Sequence, residues 1–101
     1  MKLKNKIALV TGAGRGIGKA IALTMASEGA SVILTARTLR ELEGVRQTIE
    51  AGGGKARSIV ADLTTDGDVG KVFSQISAEF GQLDILVNNA GILSLAGVEA
   101  T

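Results

Sequence analysis

Residues 6–18 read KIALVTGAGRGIG, and this stretch decides the fold. Ile7, Ala8, Leu9 and Val10 form a short apolar run bounded by turn residues, as a strand covered on both faces requires. Four glycines follow at alternate positions, Gly12, Gly14, Gly16 and Gly18, and a helical pattern starts at once. A strand that delivers a glycine turn to a helix N-terminus can hold phosphate. Backbone N–H groups point outward, the helix dipole is positive there, and absent Cβ atoms let an anion come close. The strict G-x-G-x-x-G spacing fails, because its third glycine falls on Ile17 or on Lys19. The phosphate loop of nucleotide triphosphatases also fails: its leading position is Ala13, and Ala20 rather than Ser or Thr follows Gly18-Lys19. What fits is Thr11-Gly12-x-x-x-Gly16-x-Gly18. A glycine-rich turn that holds no ligand is the alternative reading.

Composition narrows the function classes. A chain of 101 residues with 14 glycines suits one small α/β domain, or part of a larger one. A net charge of +1 provides no basic field for nucleic acid or an anionic membrane. No apolar run reaches the ~18 residues of a membrane span. The start, MKLKNKIALV, has too short an apolar stretch for a signal peptide, so a cytoplasmic location is expected. Cysteine is absent, which removes disulfides and thiolate chemistry. His, Tyr and Trp are absent too, so the usual proton carriers at neutral pH are missing. The sequence offers no catalytic residue and no metal site; it suits a nucleotide-holding scaffold better than a complete catalyst.

Outward from residues 6–18, the pattern alternates. The first strand covers residues 6–11, and the first helix Gly16 to Glu28, with Ile17, Ala20, Ile21, Thr24 and Met25 expected on its buried face. Gly29 is placed to end it as a left-handed cap. Residues 30–36 (ASVILTA) form a second buried strand. The second helix runs from Thr38 to Ala51, with a capping-box spacing at Thr38 and Glu41 and an apolar stripe of Leu42, Val45 and Ile49. Gly52-Gly53-Gly54 stops it. Ala56 to Leu63 is the third strand. Thr65 or Asp66 caps a third helix to about Phe80, with Val69, Val72, Phe73, Ile76 and Phe80 on one face. Leu83 to Asn88 is the fourth strand. Repeated strand–helix alternation implies right-handed βαβ units and a parallel sheet. The expected class is α/β: a Rossmann-type, doubly wound sheet in its N-terminal portion, with strand order 3-2-1-4 and a ligand crevice between strands 1 and 4.

Two motifs carry a resemblance. TGxxxGxG at residues 11–18 and Asn88-Asn89-Ala90-Gly91 after the fourth strand are similar to the hallmarks of the short-chain dehydrogenase/reductase family. The resemblance spans residues 5–92 and includes the run GQLDILV before the second motif. It implies an NAD(P)-dependent oxidoreductase whose glycine turn (Gly12, Gly14, Arg15, Gly16, Ile17 and Gly18) binds the cofactor. It implies that Asn89, Ala90 and Gly91 contact the nucleotide while Asn88 braces the central strands, with Thr11 reaching across to that turn. Asp62 and Leu63 would touch the adenine; read from the residues alone, Asp62 is a helix-initiating acid at a strand end. Relatives often carry Ser or Asn where Gly14 stands, so a side-chain contact to the adenosine is missing here.

The end of the second strand bears on cofactor choice. NAD-binding units place an acid there, about 20 residues past the glycine turn. This chain has Thr35, Ala36, Arg37 and Thr38, with no carboxylate until Glu41. A guanidinium clasps a 2′-phosphate where a carboxylate would repel it. Arg37 with Arg15 therefore favours NADP(H) over NAD(H); the alternative is that Arg37 is a solvated residue ahead of a helix.

The family's reaction uses a Tyr-x-x-x-Lys pair, a Ser and an Asn beyond the second motif. Ser94 stands too close to that motif, and the chain has no Tyr. The resemblance therefore implies that residues 1–101 are an incomplete NAD(P)-binding domain, the N-terminal part of a longer, homo-oligomeric reductase. Its look is nearest to 3-oxoacyl-[acyl-carrier-protein] reductase-like members, so the substrate would be a small carbonyl compound or an acyl thioester. Such a part would leave the apolar fourth strand as an open, association-prone edge. The alternative is a stand-alone, non-catalytic nucleotide-binding or interaction module.

Overall fold

The computed structural model describes residues 2–89. Strands and helices alternate through them: β1 (Ile7–Thr11), α1 (Gly16–Ser27), β2 (Ser31–Ala36), α2 (Leu39–Ala51), β3 (Lys55–Val60), α3 (Asp66–Phe80) and β4 (Ile85–Val87). The strands form one sheet in the order β3-β2-β1-β4, and every neighbouring pair is parallel. This is the order expected from the sequence. It sets β1 beside β4 where the strand order reverses, and a crevice opens at such a point, beyond the carboxyl ends of the strands. Among the described residues no helix is long and apolar enough to cross a membrane.

Side chains alternate across a strand, so a sheet covered on both faces needs apolar residues at successive positions. Ala8, Val10, Val32 and Leu34 pack with Ala22 and Ala26 of α1 and with Leu42, Val45 and Ile49 of α2. Leu9 and Ile33 face the other way, joining Ile59, Leu86 and the α3 residues Val69, Val72 and Ile76. Phe73 and Phe80 pack at the margin of this second cluster. At the β3 edge, Lys55, Arg57 and Val60 are exposed. Arg57 Nε pairs with Glu79 of α3 at 2.8 Å. Charge along an edge discourages pairing with another chain.

The buried face of α1 differs from the expectation. Ile17, Ala20, Ile21, Thr24 and Met25 do not form it. The buried residues are Gly18, Ala22 and Ala26, and Ile17 is 72% exposed. The cause is close approach. The helix begins hard against the glycine turn, so only small residues fit its inner face, at successive steps of four. Ile21, Leu23 and Met25 fill the flanks of the interface as partly buried neighbours.

Element boundaries also moved, and at α2, β3 and β4 the reason is local. Thr38 occupies the N-cap of α2, but its side chain makes no capping hydrogen bond, so the expected capping box does not form. Its other half, Glu41, turns instead toward Arg15, at 3.9 Å. β3 ends at Val60 rather than Leu63: Ala61 N–H still donates to Ala36 O at 3.0 Å, but Asp62 N–H donates to the Asp68 carboxylate at 2.7 Å. β4 is trimmed to Ile85–Val87 because Asp84 clamps rather than pairs. Its N–H donates to Ile7 O at 2.9 Å, and its carboxylate accepts from Ile7 N–H at 2.8 Å.

That clamp is titratable. The Ile7 N–H, with help from the Gln82 amide and the Lys6 charge, holds the Asp84 carboxyl below its ordinary pKa. A depressed carboxylate stabilises the fold above its unfolded pKa and loses that contribution as pH falls through the lower, folded value. Asp84→Asn should therefore lower the melting temperature at neutral pH. The difference from the unchanged chain should shrink below about pH 4. Thermal melts across the acid range check this, and a deficit independent of pH would show that the carboxylate charge is not what matters.

Candidate functional site

The turn after β1 is tied down on three sides. Ala13 N–H donates to Thr35 O at 3.3 Å, which keeps the turn against β2. Thr11 Oγ1 lies 3.3 Å from Val87 O and 3.5 Å from Asn88 Oδ1, linking β1 to the end of β4. Asn89 Nδ2 donates to Gly12 O at 3.4 Å. Gly16, at φ +61°, turns the chain into α1 through left-handed backbone that a side chain would strain. Gly18 permits the tightest contact: a Cβ there would stand 2.1 Å from Gly12 O and 2.8 Å from Asn89 Nδ2. Gly12, Gly18 and Asn89 are thus brought together at the junction of β1, β4 and the start of α1. No acidic residue occupies the first turn of α1, so its positive end is uncompensated.

A crevice of about 290 Å³ opens beside this junction. Gly12, Gly14 and Arg15 of the turn form one wall. Ala36, Arg37 and Thr38 at the end of β2 line it as well, together with Glu41 of α2. Ala61 and Leu63, both buried, supply an apolar floor. The volume lies at the small end of ligand pockets, roughly 300–1,000 Å³, and suits one portion of a dinucleotide rather than the whole. The guanidinium groups of Arg15 and Arg37 are both exposed and border the same space.

Asp62 lies just outside this lining, in the turn that leads from β3 into α3. Its carboxylate accepts from the Thr64 N–H at 3.0 Å and from the Thr64 hydroxyl at 2.6 Å. Those two bonds, and more weakly the Arg37 charge, hold the Asp62 carboxyl below its ordinary pKa. Thr65 completes the cap: its hydroxyl accepts from Asp68 N–H at 3.3 Å and donates to Asp62 O at 3.1 Å. Only one oxygen of Asp62 is used in these bonds, so the same carboxylate can still accept from a ligand.

The residues singled out in the sequence thus fall into two adjoining groups. Gly12, Gly14, Arg15, Arg37 and Leu63 line the crevice. Gly16, Ile17, Gly18 and Asn89 gather at the head of α1, and Asp62 follows β3 outside the lining. Ala90 and Gly91 lie outside the described residues. Sequence reasoning missed Glu41 as a lining residue, because its spacing from Thr38 directed attention to a cap. It also missed Thr64 and Asp68, which fix Asp62 in place; their signal was a cluster of short polar side chains straight after a strand. Among the described residues no group of carboxylates could hold a metal ion. Turn and helix N–H groups, two guanidiniums and an apolar surface thus adjoin one crevice, a donor set that a nicotinamide dinucleotide fits.

Comparison with known proteins agrees with this geometry. The sequence model described as short chain dehydrogenase matches residues 6–101. The chain is 46% identical over 92 residues to the 3-oxoacyl-[acyl-carrier-protein] reductase FabG of Escherichia coli, covering 91% of this chain. It is 46% identical over 94 residues to versicolorin reductase 1 of Dothistroma septosporum, covering 92% of this chain. It spans 36% of the length of each of these relatives. Among solved structures, a metagenomic short-chain oxidoreductase in complex with NADP superposes with a TM-score of 0.86 at 43% identity, over 88% of this chain and 40% of that one. A hydroxysteroid dehydrogenase from Escherichia coli gives 0.84 at 37% identity, over 86% and 36%. Strand order, glycine turn and sequence match all point one way, and the chain belongs to the short-chain dehydrogenase family.

Proposed function

We propose that this chain binds a nicotinamide dinucleotide across the carboxyl ends of its strands and takes NADP(H) in preference to NAD(H). Residues 1–101 act as the cofactor-binding part of an oxidoreductase that moves hydride between the nicotinamide and a carbonyl or alcohol. Gly12, Gly16, Ile17 and Gly18 receive the diphosphate through the turn and the head of α1. Asn89, Ala90 and Gly91 border the ribose, Leu63 supports the adenine, and Asp62 accepts from its exocyclic amine. Arg15 and Arg37 take the 2′-phosphate. The bound nicotinamide supplies the hydride donor or acceptor. The chain contains no tyrosine, the residue that the family resemblance implies as proton donor to the alkoxide. Likeness to FabG supports a 3-oxoacyl thioester as the substrate class.

One observation carries the cofactor preference. Arg37 stands where NAD-binding units place an acid, and it shares its crevice with Arg15. Parallel titrations with NADPH and NADH, read by dihydronicotinamide fluorescence, test it. NADPH should bind roughly tenfold tighter or better, the difference expected of a charge-assisted phosphate contact. Tighter binding of NADH would overturn the preference, and binding of neither would remove the nucleotide-binding reading from this chain.

A further inference from the structure

Glu41 lines the same crevice as the two arginines, and a phosphate-binding site does not call for a carboxylate there. It is the third residue of α2, half-buried, and its carboxylate lies 3.9 Å from Arg15 Nε. The space it uses exists because residue 14 is a glycine: a Cβ at Gly14 would stand 2.8 Å from Glu41 Cβ and 3.1 Å from Oε1. Gly14 and Glu41 are therefore coupled. Without a side chain at 14, the glutamate leans over the glycine turn and reaches the guanidinium beyond it. Arg15 is 86% exposed, so the pair is solvent-screened and easily exchanged for a better partner.

We propose that Glu41 is a specificity-determining residue that narrows the preference for NADP(H) over NAD(H) by competing with the 2′-phosphate for Arg15. This inference rests on Arg15 and Arg37 receiving that phosphate. A 2′-phosphate carries close to two negative charges at neutral pH. To bind, it must draw Arg15 away from Glu41 and then share the crevice with the displaced carboxylate. A free 2′-hydroxyl meets no such opposition and can donate to the same carboxylate. One side chain thus disfavours the phosphorylated cofactor and favours the other. The intact Arg37 keeps the balance on the side of NADP(H), and Glu41 sets how far.

Calorimetric titration of the protein with adenosine 2′,5′-bisphosphate and with adenosine 5′-monophosphate isolates this contact from the nicotinamide and from turnover. Glu41→Gln keeps the size of the side chain and removes its charge. It should raise the ratio of the two affinities roughly three- to tenfold, as loss of a screened charge contact with a divalent anion implies. Most of the gain should lie in tighter binding of the bisphosphate. Glu41→Asp, which withdraws the carboxylate by one methylene, should shift the ratio the same way and serves if the glutamine variant does not fold. A protein that prefers the bisphosphate by the same ratio with and without Glu41 overturns the inference and leaves the cofactor preference standing. No preference in either form overturns both. No preference until Glu41 is neutralised supports the inference.

Discussion

Gly18→Ala should disrupt the glycine turn and remove much of the fold's stability. The added methyl would stand 2.1 Å from the backbone oxygen of Gly12, a contact no rotamer can relieve. Either the turn must rise or α1 must tilt off the sheet. The second course opens the interface at Ala22 and Ala26, which pack against the β1 and β2 side chains. Overpacking that moves backbone costs about 3 kcal/mol. A domain of this size loses roughly 4–8 °C of melting temperature per kcal/mol, so a fall of more than about 10 °C is expected. Nucleotide binding should be lost with it, because Asn89 meets Gly12 at the same point. Gly44→Ala is the matched control. Gly44 sits inside α2, where a methyl group would meet nothing beyond the helix's own backbone within 4 Å. There the same change should stabilise by about 1 kcal/mol, through helix propensity alone. Melting curves of the two variants decide the matter. A Gly18 variant that melts beside the unchanged chain would mean that the turn has room the structure does not show.

The contrast between these glycines says why part of this molecule was legible in its sequence. Strand order followed from element order, because parallel βαβ units admit few topologies. Leu42, Val45 and Ile49 were readable as a core stripe because α2 packs by large side chains at helical spacing. The inner face of α1 was not, because it packs by small ones. Ile17, Ile21 and Met25 have the right spacing, yet the steric limit at Gly18 hands the contact to Ala22 and Ala26. Periodicity of bulk reports a buried face only where the backbones stand a side chain apart. Glu41 was misread for a related reason. Its spacing from Thr38 fits a capping box, but a cap competes with any other partner within reach. Arg15 is near in space and 26 positions away in sequence, and no local rule reveals it. The crevice residues Arg15 and Arg37 could be named in advance from their places in the glycine turn and at the end of β2, and Leu63 from the family resemblance alone. What closes the crevice could not.

Arg37→Asp should invert the cofactor preference. The substitution trades a guanidinium for a carboxylate at the end of β2, beside an Arg15 that already shares its charge with Glu41. A 2′-phosphate then meets two carboxylates and one cation where it met two cations and one carboxylate. Loss of a charge-assisted contact together with the new repulsion should weaken NADPH by about 100-fold, close to 2.7 kcal/mol. NADH should hold its affinity or gain, since an acid at this place accepts from the ribose hydroxyls. Arg37→Ala removes the clasp without the repulsion and should fall between. The pH profile separates this from mere loss of structure. Arginine keeps its charge throughout, but the second ionisation of a phosphate monoester lies near pH 6. The advantage of NADPH over NADH in the unchanged chain should therefore shrink as pH falls from about 7 to about 5, when the phosphate gains a proton and halves its charge. In Arg37→Asp the trend should reverse, with NADPH least disfavoured at the acid end. Rising salt should shrink the unchanged chain's NADPH advantage as well, because the clasp is exposed. If Arg37→Asp binds NADPH as the unchanged chain does, Arg37 is a solvated residue ahead of α2, and the phosphate, if bound at all, is held elsewhere.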